Sequence, residues 1–158
     1  MWSKLHKTNI IALGKLKEKY LKDAVGEYSK RLGRFTSLTI TELNDEKISE
    51  SQSEFTKVKN IEGKKVLNIL DNLKDYTVFP LSPSGIMIDS LGFAKMLDDN
   101  PKHVFIIGGT LGLSDSVLKR GKNISFSPMT FSHQIMRVIL LEQIFRGYKI
   151  NNGQVYHR

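Results

Sequence analysis

The chain has 158 residues, 40% of them hydrophobic, with 24 Lys and Arg against 16 Asp and Glu and no cysteine. That length supports one core and not two comfortable ones, and the absence of thiols excludes disulfides, thiolate catalysis and thiolate zinc sites, so a cytoplasmic protein is the simplest reading. A net charge of +8 with a pI near 9.6 points to a polyanionic partner, either nucleic acid or an anionic membrane surface, or else to plain solubility.

Charge distribution narrows this. Residues 1 to 34 carry nine bases against three acids and residues 103 to 158 seven against two, whereas the stretch between them is acidic on balance. The positive charge therefore sits at the two ends, and both are expected to meet the anion. The start, Met1-Trp2-Ser3-Lys4-Leu5-His6-Lys7, lacks the apolar stretch of a signal peptide, and no segment approaches the roughly 18 apolar residues of a membrane span.

In chain order, Asn9 to Gly14 is a short apolar strand. Leu16, Tyr20, Leu21, Ala24, Val25, Tyr28 and Leu32 then recur at helical spacing. Lys15, Lys19, Lys22 and Lys30 fall on the opposite face with no acid between them, a face either solvated or in contact with phosphates. Ser37 to Leu43 alternates as a strand, and Asn44 to Ser53 is a polar, turn-rich connection. Phe55 through Leu73 predicts a second helix despite Gly63. A third strand, Tyr76 to Leu81, leads into Ser82-Pro83-Ser84-Gly85, a turn by composition.

Asp89 or Ser90 can cap a short helix through Leu97 that Asn100-Pro101 ends. His103 to Ile107 is a continuous apolar run, the pattern of a strand buried on both faces. Strand and helix alternate throughout, which predicts an α/β fold with a mostly parallel sheet in a single domain spanning 1–158. In the last helix, Phe131 to about Lys149, nine of the fourteen positions from Ile135 to Tyr148 are apolar and spread around the wheel. Such a helix is covered on more than one side, and a second subunit is the expected cover, so a homodimer is predicted. Glu142 and Arg146, at i and i+4, suit a helix ion pair.

The Gly108-Gly109-Thr110-Leu111-Gly112 turn after a buried strand admits a ligand close to the backbone. It is neither a P-loop nor a G-x-G-x-x-G fingerprint, and no acid stands about 20 positions on to hold a ribose, so nicotinamide cofactors are disfavoured. None of His6, His103, His133 and His157 has metal-ligand spacing with another, and no metal is expected. His133, with Arg137 one turn later, could deprotonate an acidic ring nitrogen or serve as a structural histidine at a helix start.

Several segments carry a resemblance: Ala12-Leu13-Gly14-Lys15-Leu16-Lys17-Glu18-Lys19-Tyr20, the Ile106-Ile107-Gly108-Gly109 strand end, Ser125 through Val138 with its S-x-M-T-x-x-H-x-x-x-R pattern, Leu141-Glu142-Gln143, and the terminal Tyr156-His157-Arg158. In order, from about residue 7 to the end, the chain resembles the RlmH family, the pseudouridine N3-methyltransferases of large-subunit ribosomal RNA in the SPOUT superfamily. The resemblance implies a C-terminal trefoil knot, a homodimer, S-adenosyl-L-methionine as methyl donor, and the ribosome with its 23S rRNA as partner, in the helix 69 region of assembled ribosomes.

Carried over by position, the resemblance implies cofactor binding at Leu81, Gly108, Phe126, Ser127, Pro128, Met129, Thr130 and Phe131. It implies catalytic roles for His133 and Arg137, and for Tyr156, His157 and Arg158 facing the partner's cofactor. Lys15, Lys19, Lys22 and Arg158 would hold RNA phosphates.

The chain also departs from the family. Ser82-Pro83-Ser84 stands where an acid commonly follows the leucine, Ile86-Met87-Ile88-Asp89-Ser90 replaces a more polar run, and Pro80 removes a backbone donor before Leu81. About six extra residues precede the usual start. Two alternatives stay open: a methyltransferase of the same superfamily acting on another RNA such as tRNA, and a ribosome-associated RNA-binding protein without catalysis.

Overall fold

A computed structural model describes residues 5–48 and 51–158. Four of the six N-terminal extra residues, and two residues of the 44–53 connection, lie outside the described part. Five parallel strands form one sheet in the order β2-β1-β4-β3-β5, with β1 at Lys7–Leu13, β2 at Ser37–Leu43, β3 at Thr77–Met87, β4 at Lys102–Ile107 and β5 at Ile124–Ser125. The helices are α1 (Lys19–Leu32), α2 (Ser53–Leu70), α3 (Ser90–Asp99), the short α4 (Asp115–Leu118) and α5 (His133–Asn151).

Strand periodicity explains the layering. Ile10 and Ala12 of β1, with Phe105 and Ile107 of β4, point to the face covered by α1, α3 and α5, where they meet Leu32, Phe93, Leu140 and Ile144. Their alternates Ile11, Leu13, Val104 and Ile106 point to the other face and pack on Val66 and Leu70 of α2 and Val117 of α4. Because both faces are covered, the central strands read as unbroken apolar runs. The expected α/β class with a parallel sheet is observed, and among the described residues the strands of the sheet pair only in parallel.

Three local features differ from the sequence reading. Residues 82–85 are not a turn that ends β3 but the protruding middle of a longer strand: Leu81 and Ile86 both pair with Ile124. Ser82 and Ser84 join their hydroxyls at 2.9 Å in the protrusion. Helix α1 starts at Lys19 and not near Leu16, because the amide of Leu16 is taken by Glu42 at 3.0 Å and that of Lys17 by Gln134 at 3.3 Å. The lysine face does include an acid, since Lys19 pairs with Asp23 at 2.7 Å on the exposed surface. Elsewhere the local rules hold: Asp89 caps α3 by accepting from Gly92 N at 2.8 Å, and Glu142 pairs with Arg146 at 2.8 Å.

The two flanks of α5 are covered by α1 and α3 of the same chain. Its buried residues Leu140, Leu141, Ile144, Phe145 and Tyr148 account for most of the apolar excess. Ile135 stays 47% exposed. Among the described residues no helix is long and apolar enough to cross a membrane.

Candidate active site

Parallel strands end together at one edge of the sheet, and ligands of open α/β sheets bind beyond those carboxyl ends. The ends of β4 and β5 and the protruding middle of β3 surround a cleft of about 440 Å³, within the roughly 300–1,000 Å³ of small-molecule sites. Leu81 to Ser84, Ile107 to Leu113, Ile124 to Ser127, Met129 to Phe131, His133 and Lys59 line it. Seven of the eight residues carried over for cofactor binding meet here: Leu81, Gly108, Phe126, Ser127, Met129, Thr130 and Phe131. Pro128 is exposed and does not line it.

Short local bonds shape these loops. Ser125 Oγ donates to the Ser127 carbonyl at 2.9 Å, and Ser127 Oγ accepts from Met129 N at 3.0 Å, which folds residues 126–129 tightly without helix or strand. Phe126 sets its ring edge-on against Phe93 at 5.4 Å. Across the cleft, Gly112 N donates to Gly109 O at 3.0 Å. This closes the turn so tightly that a Cβ on Gly108 would stand 2.9 Å from the Gly112 carbonyl carbon.

His133 opens α5 behind its cap Ser132, whose hydroxyl accepts from Gln134 N at 3.3 Å. Its ring lines the cleft, and its Nδ1 is buried without a hydrogen-bond partner. Burial, followed by the positive charge of Arg137, holds its pKa below the ordinary 6.5. The imidazole is therefore neutral at physiological pH. Gly14 backs this ring: its φ is +96°, and a Cβ there would stand 2.7 Å from His133 Cε1.

Arg137 does not reach the cleft. It is fully buried, donates Nη2 to Gly14 O at 2.9 Å and Nη1 to Glu42 in an ion pair, and so ties α5 to the β1–α1 loop. Glu42 also receives the Leu16 amide.

The terminal residues follow α5 and fold back against it, outside this cleft. Tyr156 donates to Glu142 at 3.3 Å and lays its ring 4.8 Å from the Arg146 guanidinium, while Arg146 donates to His157 Nδ1 at 3.1 Å. Burial, then Glu142, raises the Tyr156 pKa. His157 and Arg158 are exposed, as are Lys15, Lys19 and Lys22. Among the described residues no group of three or more His, Asp or Glu side chains is placed to hold a metal ion.

Sequence reasoning missed Gly14, Glu42 and Lys59 as parts of this neighbourhood. Glu42 carried a signal, being the only charge in the strand Ser37–Leu43; Lys59 carried none, since α2 holds several lysines.

The family model described as "Predicted SPOUT methyltransferase" matches residues 6–157. Proteins named ribosomal RNA large subunit methyltransferase H are similar over nearly the full length: that of Clostridium botulinum (strain Alaska E43 / Type E3) is 49% identical, over 94% of this chain and 98% of the relative. The Clostridioides difficile (strain 630) relative is 47% identical over 95% and 98%. That of Lactobacillus acidophilus is 46% identical over 94% and 98%. With matches of this extent and a cleft built from the motif residues, the chain belongs to the SPOUT methyltransferases, in the family of the large-subunit ribosomal RNA methyltransferases H.

Proposed function

We propose that this chain transfers a methyl group from S-adenosylmethionine to N3 of a pseudouridine in 23S rRNA, in the helix 69 region of assembled ribosomes, acting in the cytoplasm as a homodimer. The observation that carries this reading is the meeting of the glycine turn, the 125–131 loop and neutral His133 on one cleft, in a chain whose relatives bear names of large-subunit rRNA methyltransferases.

The residues present fit the donor. Leu81, Ile107, Ile124 and Phe126 offer an apolar wall for an adenine, and the 108–112 and 125–130 loops bring backbone amides and carbonyls to it. The close approach of Gly108 to Gly112, which a Cβ would prevent, holds the backbone of that turn at the cleft wall. When bound, the donor supplies an electrophilic sulfonium methyl, so the protein's task is to orient the nucleobase and take the N3 proton.

His133 is the group suited to that proton. It is neutral and its ring faces the cleft. Arg137 serves as a positioning residue behind it, through Gly14. Tyr156, His157 and Arg158, outside their own chain's cleft, are assigned to the partner's cleft. Exposed apolar side chains support pairing of two copies: Met87, Leu91 and Ile135, at 55%, 58% and 47% exposure. Ile88 and Ser90, sequence neighbours of Met87 and Leu91, line a depression of about 350 Å³ together with Phe131, Ile139 and Gln143. Lys15, Lys22 and Arg158 are exposed and can meet phosphates, and Lys19, exposed beside its partner Asp23, can join them. The trefoil knot belongs to the same reading, supported by the close passage of residues 121–122 against β3, where Lys122 N donates to Val78 O at 3.1 Å.

The test is methyl transfer from labelled S-adenosylmethionine to ribosomes lacking the modification, read by nucleoside mass spectrometry. N3-methylpseudouridine in 23S rRNA is the expected product. Label in tRNA instead would assign another RNA substrate, and absence of transfer to any RNA would overturn the enzymatic reading.

A further inference from the structure

Among the described residues, Lys59 of α2 is, apart from His133, the one ionisable side chain lining the cleft, and no carboxylate lines it. Lys59 is half-buried and, among the described residues, forms no ion pair or hydrogen bond. The nearby acids are engaged elsewhere. Glu62, one turn along the helix, is only 3% exposed and lies beneath the glycine turn, its oxygens 3.7 Å from where a Cβ of Gly109 would stand. It accepts the Glu46 amide at 3.0 Å. Glu46 in turn is held by Lys65 at 2.7 Å.

An unpaired cation in a partly desolvated cleft attracts an anion more strongly than one in bulk water. The lysines assigned to RNA lie on and beside α1, on the opposite face of the sheet from α2, so Lys59 is not a continuation of that patch and instead faces the cleft.

We infer that Lys59 binds the carboxylate of the methyl donor's amino-acid end, and so selects for donors and products that retain that end; this rests on the S-adenosylmethionine reading above. Among the described residues no acid lines the cleft to compete for the ammonium of Lys59, and its length and single charge suit a point contact with a carboxylate.

Two nucleosides separate the outcomes: S-adenosylhomocysteine, which carries the amino-acid end, and 5′-methylthioadenosine, which lacks it. Calorimetric titration of the wild type, Lys59→Ala and Lys59→Arg with both is the experiment. Lys59→Ala is expected to weaken S-adenosylhomocysteine about tenfold, the loss of one charge-assisted bond. Methylthioadenosine should bind this variant as it binds the wild type, which also shows that the cleft is intact, and Lys59→Arg should retain most of the affinity.

Equal affinity of Lys59→Ala and wild type for S-adenosylhomocysteine would overturn the inference. Parallel weakening of both nucleosides would do so as well, and so would a loss confined to RNA binding. If the wild type bound neither nucleoside, the donor reading itself would fall, a result distinct from failure of Lys59 alone.

Discussion

Arg137 and Glu42, 95 residues apart in sequence, form an ion pair in which the arginine has no solvent exposure and the glutamate side chain keeps 36% of its own. The pair anchors the base of α5 to the loop after β1, because the second guanidinium nitrogen holds Gly14 O and Glu42 also holds Leu16 N. Removing the acid leaves a buried cation without its counter-charge. Glu42→Ala is therefore expected to cost about 3 kcal/mol, the lower end for such a break because Glu42 is partly hydrated. Urea denaturation measures it, and a loss below about 0.5 kcal/mol, the scale of an exposed pair, would show the pair to be dispensable.

Gly14 transmits that anchoring to the ring of His133. Gly14→Ala forces a side chain into the left-handed region and against Cε1, which would stand 2.7 Å away, so His133 must move. Methyl transfer should fall by more than about tenfold, since small misplacements of a reacting group are costly, while S-adenosylhomocysteine affinity stays nearly constant. A matching loss in both would mean that Gly14 shapes the whole cleft.

His133 also sets a pH dependence. Its pKa lies below the ordinary 6.5, by burial first and Arg137 second, so the competent neutral form persists to lower pH than in a free histidine. The rate should hold as pH falls from neutrality and decline only through that depressed value. In His133→Gln this acidic limb should vanish along with most of the activity; a limb that persists would assign the titration to another group.

If the tail serves the partner's cleft, two inactive variants can rescue each other. Deletion of 156–158 and His133→Gln are each expected to abolish transfer in homodimers. Mixed dimers, re-formed from both, contain one cleft with an intact His133 facing an intact tail and should recover about a quarter to half of the wild-type rate, set by subunit statistics. Recovery absent in verified mixed dimers would place the tail's action within its own chain.

Away from the cleft, His103 is buried at the start of β4, donating Nδ1–H to Asn100 O at 2.7 Å and accepting at Nε2 from Thr8 Oγ1 at 2.7 Å. Burial drives its pKa down from 6.5 to about 4, with the Asn100 bond opposing and His6 adding to the fall. Because the folded pKa lies below the unfolded one, the unfolded chain binds the proton first. This contribution to stability is complete above pH 6.5 and is lost as pH falls towards 4, by roughly 3 kcal/mol in all. Denaturation at stepped pH, compared with His103→Gln, should show a shallower acid dependence in the variant. Equal slopes would mean that His103 titrates alike in both states.

Sequence by itself determined what depends on neighbours along the chain. Alternating strand and helix periods yielded the α/β class, the Asp89 cap and the Glu142–Arg146 pair, and the glycine turn and the Ser127 to His133 loop stood out by composition and motif. Tertiary structure decided what depends on distant approach. The order β2-β1-β4-β3-β5 gathers the ends of β4 and β5 and the middle of β3 around one cleft, and β5 holds β3 in extended form past its Ser-Pro-Ser stretch because Ile124 pairs on both sides of it. Arg137, one helical turn from His133, shared its side in the sequence reading, yet a buried guanidinium needs acceptors and finds them in Glu42 and Gly14. Lys59 differs from other lysines only by the surface it faces, and periodicity along α2 carries no record of which surface lies opposite.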